Sequence, residues 1–400
     1  MPFDKNVIER MTVIGSPHQE WSDVGCATKA LRVLHLTSGN LYGGIETMLV
    51  TLAKSRQACP LIEQHFAVCF AGRLLSELAA AQAPIHRLGN VRASRPWLLA
   101  SARRRLRVIL EKETFDAVIC HSAWPMAMFG YTTLSSKQRL VFWMHGVPTG
   151  RHWIDRWAQR NRPELVICNS RYTAQYAPSV YPRAANCVIY CPIETSREAN
   201  PVQIRDSIRD ELGVPPEDRV IIQVSRMEQW KGQLLHLEAL AMLRDVPGWR
   251  CWMVGGPQRP KEIDYFRRIA ARANELGIGG RVHFLGERND VKNLLLGADL
   301  FCQPNLKPEP FGIVFIEALA AGLPVVATAI GGACEIVADD CGVLTPPENA
   351  AALAAALRRL IEDSRLRISL SSTGPSRARQ LCSPEIRIEE MYRRLASLTQ

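Results

Sequence analysis

Strand-like and helix-like segments alternate twice along this chain, and this alternation constrains the fold more than any other feature. Short apolar segments typical of buried strands recur between residues 31 and 190, and again between residues 219 and 327. Helical patterns separate most of them. Parallel strands need a crossover connection, which is usually a helix. The pattern therefore predicts an α/β protein with two successive doubly wound halves, each a parallel sheet covered on both faces.

The domain boundaries follow from changes in composition along the 400 residues. A polar stretch at 192–218, punctuated by proline, separates the two halves, and we place the linker near 194–202. The sequence thus predicts a first domain over residues 30–195 and a second over 200–376. Residues 1–29 carry several charges and no apolar run long enough for a signal peptide, so we expect a loosely ordered extension there.

Composition narrows the class of protein. Hydrophobic residues make up 47% of the chain and charged residues 22%, which is typical of a soluble globular protein. The absence of any run of about 18 apolar residues predicts no membrane span, and we expect a cytoplasmic location. Twelve cysteines occur without C-x-x-C pairs, which indicates reduced thiols rather than disulfides or zinc. The net charge of +10 favours anionic partners such as a nucleotide or an anionic membrane, and no motif supports nucleic acid.

The segment at 308–332, PEPFGIVFIEALAAGLPVVATAIGG, carries two carboxylates separated by seven residues, Glu309 and Glu317. We predict a helix over residues 311–321, closed by Gly322 and Pro324. This helix has no polar face, so Glu317 is expected to be buried, and a lone buried carboxylate costs several kcal/mol unless it is paired. A surface position or a structural ion pair are the alternatives. We favour a ligand, because free N–H groups at the start of a helix beside two acceptors suit a molecule with both phosphate and hydroxyls.

These residues resemble a known family. The Glu-seven-residues-Glu spacing, the Phe-Gly after the first glutamate and the later A-x-G-x-P-V-V-A are similar to retaining glycosyltransferases of the GT-B fold (group 1, family 4 type). The resemblance implies two Rossmann-like domains with a cleft between them, and a helix within residues 377–400 that crosses back onto the first domain. It also implies transfer of a sugar, with retention of configuration, from a nucleotide-diphosphate sugar to a hydroxyl of a glycan or lipid-linked acceptor. We expect a role in bacterial cell-surface polysaccharide or glycolipid synthesis.

The resemblance implies roles for residues of the second half. Glu317 is expected to bind the ribose hydroxyls and Glu309 to orient the sugar. Arg226 and Lys231, which follow the first strand of this half, match the family's cations that hold the diphosphate, although ordinary surface charges are the alternative from the residues alone. Such cations can replace a divalent metal, so we expect neither a metal nor another cofactor. The start of the helix is expected to contact sugar and phosphate through Phe311, Gly312, Ile313 and Val314.

The first half contributes the remaining candidates. By the resemblance, the loop of Gly43 and Gly44 closes over the donor, and His145 lies beside the donor sugar and aids the reaction. From the residues alone, a tight turn and a structural histidine are the alternatives. Three further residues at strand ends are expected on the acceptor side: His121, Asn169 and Arg171.

A predicted helix at 97–112 carries a basic cluster opposite its apolar stripe, formed by Arg103, Arg104 and Arg107. This cluster is either a solvated face or a docking patch for a lipid-linked acceptor or a membrane surface, which would make the protein peripheral at the inner face of the plasma membrane. Two rival functions also stay open. One is a GT-B epimerase or phosphorylase, and the other is a non-catalytic subunit that binds a nucleotide sugar.

Overall fold

The computed structural model describes residues 29–92, 94–148, 150–195 and 198–399, and they form two parallel β-sheets with helices around each. The extension expected over residues 1–29 lies, except for Lys29, outside the described residues. Within the described ranges, no helix has both the length and the apolar character needed to cross a membrane.

The first sheet contains seven parallel strands in the order β3-β2-β1-β4-β5-β6-β7. Its strands are β1 (Leu31–Thr37), β2 (Ile62–Val68), β3 (Ile85–Arg87), β4 (Ala117–His121), β5 (Leu140–Met144), β6 (Leu165–Cys168) and β7 (Ala185–Val188). The helices of this part of the chain are α1 (Gly44–Lys54), α2 (Arg73–Ala80), α3 (Pro96–Lys112), α4 (Ala123–Ser135), α5 (Trp153–Ala158), α6 (Arg171–Ala174) and α7 (Ala177–Val180).

The second sheet contains six parallel strands in the order β10-β9-β8-β11-β12-β13. Its strands are β8 (Arg219–Val224), β9 (Trp249–Val254), β10 (Val282–Gly286), β11 (Leu300–Gln303), β12 (Val325–Thr328) and β13 (Gly342–Thr345). The helices that follow the first sheet are α8 (Pro201–Glu211), α9 (Gln233–Ala241), α10 (Pro260–Glu275), α11 (Val291–Gly297), α12 (Ile313–Ala320), α13 (Ala333–Ile336), α14 (Ala350–Glu362), α15 (Ser364–Cys382) and α16 (Pro384–Thr399).

The doubly wound α/β prediction is confirmed, and several local differences have physical causes. The predicted helix at 311–321 begins two residues later, because Gly312 adopts a left-handed φ of +105° and starts it. Helix α4 was not predicted, since its residues are apolar on all sides and give no helical period. Helix α15 was missed because proline normally ends a helix, and Pro375 lies inside this one.

The strand order places a ligand crevice in each half. It reverses direction between β1 and β4 in the first sheet, and between β8 and β11 in the second. In open α/β sheets, ligands bind outside the carboxyl ends of the strands at such a switch point. The segments that follow β1, β4, β8 and β11 are therefore the ones expected to form a site.

The last two helices connect the halves. Helix α15 packs against α12, and α16 packs against α1 and the 3-10 turn Arg56–Ala58 of the first half. The hydroxyl of Tyr392 in α16 donates to the carbonyl of Lys29 at 3.1 Å. The backbone N–H of Ile193 donates to the carbonyl of Cys382 at 2.9 Å. These contacts fix the C-terminal chain on the first half, where the resemblance places it.

Candidate active site

The start of helix α12 presents unused backbone N–H groups. Its N-cap is Gly312, and no side chain caps it. A Cβ at position 312 would lie 2.4 Å from Cδ2 of Phe315, so only glycine fits both the space and the positive φ. The first N–H groups of a helix have no intrahelical partner and carry the positive end of its dipole. This helix start is therefore suited to an anion.

Glu317 lies on the second turn of α12 and is half-buried. In the described part of the chain it has no ion pair and no side-chain hydrogen bond. Burial raises its pKa from 4.5 to about 7. The structural ion pair considered from the sequence is thus not observed. Burying the unpaired carboxylate costs free energy, and a hydrogen-bond donor on a ligand would remove this cost.

Glu309 and Lys231 form an ion pair across the start of α12. Both side chains are mostly buried, with 15% and 12% of their surface exposed. Asn305, which follows β11, donates from Nδ2 to Oε2 of the same carboxylate at 3.1 Å. The ammonium of Lys231 also lies 4.0 Å from the ring centroid of Trp230. The lysine and the carboxylate are therefore held in fixed positions before any ligand arrives.

Arg226 is also held by carboxylates. Its Nη2 atom lies 2.6 Å from Glu262 of α10 and 3.2 Å from Glu228. Gln233 donates from Nε2 to the backbone carbonyl of Arg226 at 2.9 Å. The guanidinium is thus oriented by Glu262 from α10 and by Glu228 from its own loop. Sequence reasoning missed Glu262, because nothing local in the sequence links α10 to the loop after β8.

Loops of the first half lie against the start of α12. A Cβ at Gly44 would approach Cδ1 of Ile313 to 3.1 Å, so the glycine loop and the helix are in close contact. A Cβ at Gly146 would lie 3.9 Å from Cγ of Pro310. Ser170 donates from Oγ to the carbonyl of Pro310 at 2.5 Å. The structure thus brings the candidate loops of both halves to one cleft.

Glu335 in α13 joins the two halves and was not singled out from the sequence. Its carboxylate accepts from the backbone N–H groups of Arg171 at 2.8 Å and Tyr172 at 2.7 Å. It also accepts from the hydroxyl of Tyr190 at 3.0 Å. Arg171 therefore contributes its backbone to this contact, while the residue itself is exposed. Asn169 is buried and donates from Nδ2 to the carbonyl of His145 at 3.4 Å.

His145 and His121 are neighbours. Nε2 of His145 lies 3.0 Å from Nδ1 of His121, and both rings stack on Trp143. Burial lowers the pKa of His145 from 6.5 to about 3, so its imidazole is neutral at physiological pH. His121 is 1% exposed and lies behind His145.

Glu46 is a buried carboxylate of the first half that the sequence analysis did not single out. It lies in the first turn of α1, and a Cβ at Gly43 would be 3.8 Å from its Oε2 atom. Burial raises its pKa to about 7, although backbone hydrogen bonds oppose the shift. Its spacing of three residues from Gly43 is a capping-type signal.

One set of side chains with metal-ligand chemistry occurs in the described ranges, outside the cleft. Donor atoms of His65, His86 and Glu113 lie within 4.8 Å of one another. The guanidinium of Arg32 lies 3.1 Å from the Glu113 carboxylate and 3.2 Å from Nε2 of His65. A fixed positive charge at that distance opposes a second cation, so we interpret this set as a hydrogen-bond network.

Two parallel-sheet domains that meet at a cleft, with cations and carboxylates around a helix start, define a protein of the GT-B class. Residues 204–377 match the family model described as Glycosyl transferases group 1. Residues 42–197 match the model described as Glycosyltransferase Family 4. The two matches together cover most of the chain, and both family models describe glycosyltransferases.

Individual relatives match only part of this chain, and at low sequence identity. Lipopolysaccharide glucosyltransferase WaaG of Escherichia coli is 34% identical over 168 residues, which are 41% of this chain and 43% of the relative. A D-inositol 3-phosphate glycosyltransferase of Corynebacterium urealyticum is 29% identical over 272 residues, 64% of this chain and 62% of that protein. The matched regions thus span less than two thirds of these curated relatives. The crystal structure of Anabaena Alr3699/HepE with UDP and glucose superposes with a TM-score of 0.80 at 25% identity, covering 92% of this chain and 100% of that one.

Proposed function

We propose that this protein transfers a sugar, with retention and without a metal, from a nucleotide-diphosphate sugar to an acceptor hydroxyl. The observation that carries the proposal is the unpaired, half-buried Glu317 beside the uncapped start of α12. A buried carboxylate needs hydrogen-bond donors, and the helix start needs an acceptor anion. A ribose diphosphate supplies both within one molecule.

The geometry supports distinct tasks for each group. The diphosphate would lie at the helix start, where N–H groups and the cations Arg226 and Lys231 stabilise the charge that grows on the leaving group. Glu309, already oriented by Asn305, would accept from sugar hydroxyls. Glu317 would accept from the ribose hydroxyls, and hydrogen bonds to a charged group are worth about 1.5–3 kcal/mol each.

The reaction we propose takes place on one face of the sugar. The bond between the anomeric carbon and the diphosphate oxygen breaks, and the bond to the acceptor oxygen forms on the same face. The acceptor proton moves to the departing diphosphate oxygen, so charge and atoms balance without a protein nucleophile. His145, neutral and at the end of β5, would contact the donor sugar. The fixed cations take the role that a divalent ion has in other transferases.

The acceptor side is proposed to face an anionic membrane from the cytoplasm. On α3, Trp97, Arg104 and Val108 share one exposed face, since they are spaced by seven and four residues. Trp97 is 64% exposed. Arg103, which the sequence grouped with this cluster, instead donates to the carbonyl of Met128 at 2.7 Å and packs over Trp157. A tryptophan with flanking arginines favours a membrane interface and a lipid-linked acceptor in cell-surface glycan synthesis.

A panel of nucleotide sugars tests the proposal. The protein is mixed with UDP-, GDP-, ADP- and dTDP-linked sugars, and its melting temperature and the release of nucleoside diphosphate are measured. We expect one base to raise the melting temperature, and release to increase when a glycolipid acceptor is added. Turnover without an acceptor alcohol would instead support an epimerase or phosphorylase. Binding without release for any acceptor would support a non-catalytic subunit.

A further inference from the structure

Three histidines form a continuous hydrogen-bonded chain that ends at the cleft. Nδ1 of His35 lies 2.9 Å from Nε2 of His121, and Nδ1 of His121 lies 3.0 Å from Nε2 of His145. His35 and His121 are 0% and 1% exposed. His145 is half-buried, and its remaining nitrogen, Nδ1, has no hydrogen bond to any described residue. The chain thus connects the interior of the first sheet to the proposed donor site.

The strand register produces this diagonal arrangement. His35 pairs with Ile119, two residues before His121, and His121 pairs with Trp143, two residues before His145. Each step therefore crosses one strand and advances two residues, which keeps all three side chains on the same face. Stacking fixes the ring planes. His35 stacks on Phe66 at 5.2 Å, and the other two imidazoles stack on Trp143.

The tautomers of the three imidazole rings depend on one another. Burial holds the pKa of His121 well below 6.5 and that of His35 at about 3, so both are neutral. A neutral imidazole has one N–H donor and one bare acceptor nitrogen. His121 must therefore donate to one neighbour and accept from the other. Only two arrangements satisfy both hydrogen bonds, and they differ in the tautomer of all three rings.

The inner end of the chain favours one arrangement. Nε2 of His35 is buried and makes no hydrogen bond of good geometry to any described residue, although an interaction with the Gln64 side chain opposes the lowering of the His35 pKa. A buried N–H without an acceptor is rarer and costlier than an under-satisfied acceptor. Nε2 of His35 is then bare, each ring donates from Nδ1 toward the cleft, and His145 presents Nδ1–H to the ligand.

We propose that His35 and His121 are positioning residues that hold His145 as the Nδ1–H tautomer, so that it donates a hydrogen bond to the donor sugar. The assignment of His145 to the sugar rests on the proposed function, whereas the tautomer does not. The hydrogen bond made by one ring nitrogen of a histidine sets which of its two nitrogens carries the proton. In the opposite tautomer the bare Nδ1 of His145 could only accept from a sugar hydroxyl, which reverses the hydrogen bond and removes the N–H donor from the sugar.

The tautomer is measured first in the free wild-type protein. Selective ¹⁵N-histidine labelling distinguishes protonated from bare ring nitrogens, and His145→Gln identifies the signals of that residue. We expect His145 to be protonated at Nδ1 and bare at Nε2. The opposite result would overturn the proposal whether or not the protein proves to be a transferase.

A matched pair of substitutions then tests the coupling at a distance. In His35→Asn the side-chain amide can still donate to Nε2 of His121, so the His145 tautomer should be unchanged. In His35→Asp an ionised carboxylate only accepts, so a neutral His121 must reverse, and His145 must become the Nε2–H tautomer. The spectra are recorded from pH 7 to 10, and the nitrogen signals of His121 show where it is neutral. His65 is the titratable group whose charge acts on His35, and it lowers the pKa of His35 further.

Turnover provides the second readout. Release of UDP from UDP-glucose, with GDP-mannose as a second probe, should fall by about 10- to 100-fold in kcat for His35→Asp, with a much smaller change in KM. His35→Asn and the control His86→Gln, from the separate histidine network, should remain within about threefold of wild type. Turnover of His35→Asp should rise as the pH falls, because a cationic His121 donates from both nitrogens. An unchanged His145 tautomer beside a neutral His121 in His35→Asp would refute the coupling.

Discussion

The substitution Glu317→Gln should stabilise the free protein while weakening nucleotide binding. Burial raises the pKa of Glu317 from 4.5 to about 7. One pKa unit corresponds to about 1.4 kcal/mol, so ionising the buried group costs the fold about 3 kcal/mol at most. The side chain is half-buried, and solvent screening reduces this value to about 1–3 kcal/mol.

The sign of the pH dependence follows from proton binding. Between about pH 4.5 and 7 the folded protein holds a proton on Glu317 that the unfolded chain has lost. Stability therefore falls as the pH rises through this window, and it is lowest above pH 7. Glutamine cannot ionise, so the variant should match wild type near pH 4.5 and exceed its free energy of unfolding by about 1–3 kcal/mol at pH 8.

Binding should change in the opposite direction. In Glu317→Gln the ribose hydroxyls lose their charge-assisted hydrogen bonds to the carboxylate, and each such bond is worth about 1.5–3 kcal/mol. The affinity for the matching nucleoside diphosphate should therefore fall at least about tenfold. Urea denaturation at pH 4.5 and 8 and calorimetric titration measure the two effects. Glu238→Gln, at an exposed helical position in α9, is the control and should change neither. A Glu317→Gln variant with unchanged affinity, or one less stable than wild type at pH 8, would refute the reasoning.

Four further outcomes are expected. Lys231→Met should lower nucleotide release by at least about 100-fold, because the diphosphate loses a fixed cation and Glu309 loses its ion-pair partner; an activity near that of wild type would exclude the assigned role. Gly312→Ala should cost about 1–3 kcal/mol in urea denaturation, since its φ of +105° and the contact with Phe315 both exclude a Cβ; unchanged stability would contradict the left-handed start of α12. Glu335→Gln should increase amide hydrogen exchange at Arg171 and Tyr172, whose N–H groups lose a charged acceptor; equal protection would mean that this contact does not hold the halves together. Treatment with EDTA should leave nucleotide release unchanged, and a loss restored by Mg²⁺ would refute metal independence.

The sequence predicted those features that depend only on residues close together along the chain. Strand and helix periods predict the two doubly wound halves, because the side-chain pattern of each segment depends on its own burial. The spacing of Glu309 and Glu317 is also local, since both belong to one loop–helix segment. Placing Lys231 beside Glu309 required the resemblance, because β8 and β11 are adjacent only in the folded sheet.

Features that depend on strand order or domain packing could not be read from the sequence. The chain of His35, His121 and His145 exists because β1, β4 and β5 are neighbours, which no spacing along the sequence reveals. A histidine inside the apolar strand LRVLHL was the only sign that His35 needed a buried partner. Nothing local in the sequence marks Glu335, because its partners belong to the first half.

We propose that the cleft binds a nucleotide-diphosphate sugar at the start of α12. The most direct measurement is a crystal structure of the protein with the nucleoside diphosphate that most raises its melting temperature. We expect ribose hydroxyls within hydrogen-bond distance of Glu317, and phosphate oxygens on Arg226, Lys231 and the first N–H groups of the helix. A nucleotide bound elsewhere, with Glu317 still lacking a partner, would contradict it.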